Sequence, residues 1–263
     1  FPYVDLVVGS WNQTMSRVDW RAPRDGLPTG AGVTPVGDPD GWRGGLTEPG
    51  EDVGMFTSMR IDSAGLLRIA YFDRTNGDLK YVAYDSTTGT GTPAVVDSTG
   101  ESGRYANMVL DGTDRAVIAY MSNVRDAAGR MTSRAMVAWA DDAAATAWTL
   151  HTVEEVGSQP CRPEICDPGE VCVTSTRTCT ATTTDCTDAC ALMNLACVAG
   201  ACVEFLDRDA YALEYPNGTG IDNSVALYFG QPVVAYCRRP EGVPGDLMVA
   251  VFSGGTLLNT LVG

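Results

Sequence analysis

One phrase recurs along this chain, and it constrains the fold more than any other feature. Ser58-Met59-Arg60-Ile61-Asp62-Ser63-Ala64-Gly65-Leu66-Leu67-Arg68-Ile69-Ala70-Tyr71 returns as Asn107-Met108-Val109-Leu110-Asp111-Gly112 running into Val117-Ile118-Ala119-Tyr120. It returns again as Ser224-Val225-Ala226-Leu227 followed by Pro232-Val233-Val234-Ala235-Tyr236. Each copy reads strand, tight polar turn, strand. Self-similarity of this kind means stacked copies of one supersecondary unit, because a single copy cannot bury its own apolar face.

Each copy continues into a second hairpin. After Tyr71 comes a polar loop ending Asn76-Gly77-Asp78, then Leu79-Lys80-Tyr81-Val82-Ala83-Tyr84. Asn-Gly between alternating runs is a strong hairpin signal, because both residues tolerate positive φ. The corresponding third strands are Ala135–Trp139 and Leu247–Phe252, and fourth strands follow at Pro93–Asp97, Trp148–Val153 and Thr256–Val262. Four antiparallel strands per copy is the composition of a propeller blade. The fold class expected is therefore all-β: a propeller-like array of four-stranded antiparallel blades with a disulfide-rich insertion.

Spacing locates the insertion. Tyr71 and Tyr120 are 49 residues apart, whereas Tyr120 and Tyr236 are 116 apart, with a cysteine-rich segment between them. The division expected is blades over 1–157, a cysteine-rich module over 158–204 and a further blade over 205–263. The N-terminus holds a partial copy, with Asp5–Trp11 as its second strand and Ser16–Trp20 as its third. Its first strand is missing, so either the chain is part of a longer one, or the ring is small and closes irregularly, or a partner supplies the strand; an unpaired edge would otherwise invite association. The Gly- and Pro-rich stretch from Ala22 to Asp52 reads as a long loop between blades. An opening residue other than Met suggests a processed N-terminus or a fragment.

The chain has 33 acidic and 18 basic residues, a net charge of −15, which argues against binding nucleic acid or an anionic membrane surface. No apolar run reaches the length of a transmembrane helix, so membrane insertion is not expected. Of nine cysteines, eight fall between Cys161 and Cys202 as two four-cysteine units: Cys161, Cys166, Cys172, Cys179, then Cys186, Cys190, Cys197, Cys202. Dense, even-numbered cysteine in a short polar stretch is a disulfide framework, which implies an oxidising compartment and an extracellular or cell-surface location. Zinc is the rival reading. It is disfavoured because no Cys-x2-Cys pair occurs and the single His, His151, lies outside the cluster. Cys237, the ninth, sits in a repeated strand and reads as a buried free thiol.

Chemistry is sparse. His151 has no Ser nucleophile motif beside it, and no Gly-x-Ser-x-Gly elbow occurs. The adjacent carboxylates Glu51/Asp52, Asp141/Asp142 and Glu154/Glu155 are nominal candidates for glycoside chemistry, but all lie in turn or strand-end contexts. No cofactor is expected. Calcium is the alternative, at Asp38 and Asp40 or at Asp111 and Asp114. Asn12 and Asn217 head glycosylation sequons. Trp11, Tyr71, Tyr120 and Tyr236 recur at one repeat position; core packing is the main reading and carbohydrate stacking the alternative.

Cys166-Asp167-Pro168-Gly169-Glu170-Val171-Cys172-Val173 resembles the small EGF-like or knotted modules of secreted proteins, notably those of myxobacteria. Eight cysteines allow 105 pairings; the expectation within each unit is first to third and second to fourth. The repeated Asp-x-x-Gly…Ile-Ala-Tyr with its Asn-Gly-Asp-Leu-Lys-Tyr hairpin resembles secreted bacterial β-propeller proteins. Sialidase-type propellers share the general shape, but the Asp-box Ser-x-Asp-x-Gly-x-Thr-Trp is not matched. Propellers host many roles. The function expected is a non-catalytic extracellular interaction or structural protein, a subunit of a surface or filamentous assembly with protein partners or self-association. A glycan-binding propeller is the alternative, and a sialidase-like hydrolase ranks below it.

Overall fold

A computed structural model describes residues 6–14, 17–25, 50–186, 189–207, 216–253 and 256–261. Each full copy of the phrase forms a four-stranded antiparallel meander. The second sheet contains β3 (Val53–Ile61), β4 (Leu67–Asp73), β5 (Asp78–Tyr84) and β6 (Ala94–Asp97). The third contains β7 (Glu101–Leu110), β8 (Ala116–Arg125), β9 (Met131–Ala140) and β10 (Trp148–Gln159). The fourth contains β15 (Gly218–Tyr228), β16 (Gln231–Arg239), β17 (Asp246–Ser253) and β18 (Thr256–Leu261). Ahead of them the partial copy pairs β1 (Leu6–Asn12) with β2 (Arg17–Asp25). Between the third and fourth sheets lie a 3-10 turn (Pro163–Ile165), the hairpins β11–β12 (Glu170–Val173, Thr178–Ala181) and β13–β14 (Ala196–Val198, Ala201–Val203), and the short α1 (Ala189–Leu192).

The polar turns close for a local reason. The Asp62 carboxylate accepts the backbone N–H groups of Ala64 and Leu66 at 2.9 Å each. Asp111 does the same for Thr113 and Arg115, and Asp126 for Ala128 and Arg130 on the next hairpin. Aspartate takes up turn amides that would otherwise be unpaired. Asp62 also holds the buried Arg68 guanidinium at 2.7 Å. Burial pushes its carboxyl up, but the Leu66 amide and Arg68 outweigh that and hold it below the ordinary value.

The first strand of each full sheet carries a double bulge. Gly54 and Phe56, Gly103 and Tyr105, and Gly220 and Asp222 all take positive φ, and the pairing register shifts on either side of each. Bulges bend a strand and re-aim its side chains. The glycines let this strand press against the preceding sheet: a Cβ on Gly103 would lie 3.0 Å from the Leu79 Cα, and one on Gly220 2.9 Å from the Ala135 Cα.

Successive sheets pack face to face, each seam holding its own apolar cluster. Leu6 meets Val53, Ile69 and Tyr71; Ala70, Leu79 and Tyr81 meet Met108, Ile118 and Tyr120; Ala119, Ala135 and Val137 meet Val225, Val234 and Tyr236. A polar lock repeats beside the apolar contact. A carboxylate on the last strand of one sheet receives the tyrosine of the next: the Tyr71 hydroxyl donates to Asp25 and the Tyr120 hydroxyl to Asp97, both at 2.8 Å. Asp97 also accepts the Ser102 hydroxyl, and Glu154 accepts the Thr219 hydroxyl. Burial, then the neighbouring Glu154, pushes the Tyr236 hydroxyl well above its ordinary pKa.

The architecture is therefore mostly antiparallel β with four-stranded sheets, and among the described residues these form no closed barrel or ring. One expectation on the N-terminal copy needs adjustment. β2 runs on to Asp25 rather than stopping at Trp20, because pairing resumes at Val7↔Arg24 after an irregularity that takes in Ala22 and Pro23. Proline has no N–H for a ladder, and such an edge position tolerates it. Residues 26–49 of the expected loop lie outside the described residues.

Candidate functional site

The cysteine-rich segment is held in two different ways. Its sulfurs pair Cys161–Cys172, Cys166–Cys179, Cys186–Cys197 and Cys190–Cys202, first to third and second to fourth in each unit. Four disulfides fit an oxidising compartment. Asp185 lies beside Cys186 and Cys197, a grouping of metal-ligand type, but both sulfurs are spent in a disulfide and offer no thiolate. Cys237 is a free, half-buried thiol whose pKa is raised by burial and then by Asp222.

The first unit docks on the third sheet. Met131 of β9 packs with Cys161, Ile165, Cys172 and Cys179, and the Cys179 amide donates to the Gly129 carbonyl at 2.6 Å. Under the 3-10 turn lies a buried charge cluster. Arg104 meets Glu101 at 2.5 Å and Glu164 at 3.3 Å; Arg162 meets Glu164 at 3.6 Å and Glu101 at 3.9 Å. The Asn123 amide donates to Glu101 at 2.8 Å, and the Arg104 guanidinium stands 5.6 Å over the Phe72 ring. All four charged side chains are 2% exposed or less. Burial pushes the Glu101 carboxyl up, but Arg104, Arg162 and Asn123 outweigh it and hold it below its ordinary range. Two carboxylates and two guanidiniums balance, so the cluster is neutral and closed to solvent. Chemically it is a clamp, since no reacting atom can reach it.

The second unit carries an exposed apolar pair. Its α1 turn ends in Leu192, 87% exposed, followed by Met193, 58% exposed. A second exposed apolar feature caps the β15–β16 hairpin. Where the earlier copies carry Asp62 and Asp111 turns, the fourth carries Tyr228 and Phe229, 64% and 88% exposed, with rings 4.5 Å apart.

Most candidates from the sequence resolve into structural roles. Tyr71, Tyr120 and Tyr236 are 1% exposed or less, so the carbohydrate-stacking alternative is corrected at these three positions: their rings lie inside the seams. The Trp11 side chain, Asp38 and Asp40 lie outside what the structure describes. In two of the three adjacent carboxylate pairs the members hold different partners. Asp52 pairs with Arg74 at 3.0 Å while Glu51 is exposed, and Glu154 meets Arg238 at 3.2 Å while Glu155 meets Arg134 at 2.7 Å. Asp141 accepts the Thr149 hydroxyl and Asp142 that of Thr146. His151 has its ring 5.5 Å from Phe252, on an open hollow of about 280 Å³ that Arg115, Trp139 and Asp141 also line. Asp111 is committed to its turn, and Asp114 accepts the Ser63 amide of the neighbouring hairpin tip.

Sequence reasoning missed the charge cluster and both exposed pairs. Glu101 and Arg104 are three apart, which in a regular strand places them on opposite faces; the bulge at Gly103 brings them together. Tyr228-Phe229 was legible as the one copy of the turn lacking its aspartate.

The sequence matches no protein-family model and no curated protein. Among solved structures, the chain is similar to an alpha-L-arabinofuranosidase from Lactobacillus brevis, at 9% identity and a TM-score of 0.40 over 79% of this chain. It spans about half, 53%, of that protein's length. A likeness this faint carries no argument about activity.

Proposed function

We propose that the protein is an extracellular, non-catalytic interaction protein, built as a propeller-like array of blades that presents a cystine-stapled knob to a partner. The observation that carries this reading is the exposure of Leu192 and Met193 on a unit fixed by two disulfides. A large apolar pair held rigidly in water has little conformational entropy left to lose on binding. Asp52, Asp141, Asp142, Glu154 and Glu155 are each held by a partner side chain, which supports the same reading.

The test compares the native mass of the protein taken from its source with the mass of its own polypeptide, denatured and reduced. A native mass above that of the polypeptide is expected, falling to it in a Leu192→Asp, Met193→Asp double variant with an unchanged circular dichroism spectrum. Equal masses, or aryl-glycoside turnover abolished by a carboxylate substitution, overturn the reading. The exposed Tyr228–Phe229 pair favours glycan binding as the second reading. In that case a Tyr228→Ala, Phe229→Ala double variant abolishes retention on a glycan column.

A further inference from the structure

The hollow of about 280 Å³ beside His151 is lined by the third sheet and its turns. Arg115 comes from the β7–β8 turn, Trp139 from β9, Asp141 from the β9–β10 turn, and Thr149 and His151 from β10. Thr149 pairs with Trp139 and His151 with Val137, so strand alternation turns Thr149 and His151 to the Trp139 side of the sheet. That side faces the fourth sheet. Trp139 packs on the seam that holds Val225 and Val234, and the His151 ring meets Phe252 of β17.

The polar groups on this hollow have bonding capacity left over. In the second sheet the turn arginine is fully spent: Arg68 gives Nε and Nη2 to Asp62 and Nη1 to the Tyr81 hydroxyl. In the third sheet Arg115 gives only Nε, to Asp111, and its guanidinium lies 5.3 Å over the Trp139 ring. The side chain is 38% exposed, and its two terminal nitrogens have no protein partner among the described residues. Neither ring nitrogen of His151 has one either. Asp141 accepts the Thr149 hydroxyl through Oδ1, which leaves Oδ2 open. Arg115 and Asp141 form no ion pair with each other, so a cation and an anion stand on one hollow unbridged.

Those spare valences select a ligand by its chemistry. An arginine with free terminal nitrogens takes a carboxylate through two parallel N–H bonds. A carboxylate oxygen takes hydroxyl donors, and an imidazole and a threonine oxygen add polar partners at other bearings. One carboxylate with hydroxyls around it on a compact ring is a sugar acid. The volume lies just under the ~300 Å³ at which small-molecule sites begin, which is room for one sugar residue. The chain's net charge of −15 works against a polyanion.

We propose that this hollow binds a single uronate residue of an otherwise neutral glycan. Arg115 takes the carboxylate, and Asp141, Thr149 and His151 take the hydroxyls. This assignment rests on the glycan-binding reading, but on residues other than Tyr228 and Phe229.

The experiment titrates the isotope-labelled chain with methyl glucuronide and follows it by two-dimensional NMR. Saturable shifts are expected at Trp139, Thr149 and His151. Methyl glucoside, with a hydroxymethyl group in place of the carboxylate, should bind at least about tenfold more weakly, the worth of a charged hydrogen bond. Arg115→Gln should weaken the glucuronide by the same factor and leave the glucoside unchanged, with circular dichroism verifying the fold. Four results overturn the proposal: no saturable shift at these residues, equal affinity for the two glycosides, equal loss of both in Arg115→Gln, or tighter binding per residue of a polyuronate. If any of these accompanies glycan-column retention that depends on Tyr228 and Phe229, the uronate assignment falls and the glycan-binding reading stands. If retention fails as well, both fall.

Discussion

The sheet array and the cystine module solve the same problem by opposite means. In the array, each seam excludes water from residues such as Leu79, Ile118 and Val234, all 0% exposed, and the first two seams add a tyrosine–carboxylate bond. In the module, one small apolar cluster lines the first unit, built largely from its own cysteines and one methionine borrowed from β9. Units of about twenty residues cannot bury enough surface to fold unaided, so covalent closure of the unfolded chain takes over. The array is therefore indifferent to redox conditions and sensitive to packing and charge, and the module is the reverse. The buried cluster of Glu101, Arg104, Arg162 and Glu164 belongs to both.

The largest effect is expected where the two regions share a part. Glu101→Ala leaves two buried guanidiniums short of a counter-charge and should cost about 3–5 kcal/mol in urea denaturation. A loss below about 1 kcal/mol would mean that the module docks without the clamp. The same residue gives a pH signature. Its folded carboxyl titrates below the ordinary 4.5, so its contribution is complete above that pH and is lost as pH falls through the lowered value. The wild-type urea midpoint should drop on acidification, and that of Glu101→Gln should drop less.

Next in size, a Cys186→Ser, Cys197→Ser variant removes a closure worth about 3 kcal/mol. Hydrogen exchange should quicken over 186–203 and stay unchanged in β7–β9. Faster exchange across the third sheet would break the division between the regions. Tyr120→Phe removes one donor from Asp97 and leaves the Ser102 hydroxyl in place. About 1–2 kcal/mol is expected, read in the thermal transition of the array. Smallest is Arg125→Ala, which cuts the solvent-facing contacts with Asp167 and Glu170. Exposed pairs of this type contribute about 0–1 kcal/mol, so a shift at the limit of detection is expected.

The array was legible in the sequence because the repeat repeats its reasons. The aspartate turn, the Asn-Gly hairpin and the Ile-Ala-Tyr strand each act locally, so their spacing locates the strands of three sheets and of the partial copy. The cystine units were legible for the same reason. What stayed hidden depends on partners far apart in the chain: Glu164 reaches Arg104 across 60 residues, and Asp25 reaches Tyr71 across 46. The tyrosines drew notice as recurring aromatics, but only the seams show that the Tyr71 and Tyr120 hydroxyls are spoken for. The double bulges follow Gly-x-Phe, Gly-x-Tyr and Gly-x-Asp, a pattern too short to stand out before the repeat has been aligned.

The crossed sulfur pairings also settle what a single cut can do. Within each unit the two closed loops overlap, Cys161–Cys172 with Cys166–Cys179 and Cys186–Cys197 with Cys190–Cys202. A protease that nicks the backbone anywhere between Cys161 and Cys179, or between Cys186 and Cys202, leaves the two pieces tied together. The exposed run from Ala181 to Asp185 belongs to neither set of loops. Inside the module it is the stretch where one clip parts the chain between its two knots, with both knots left intact.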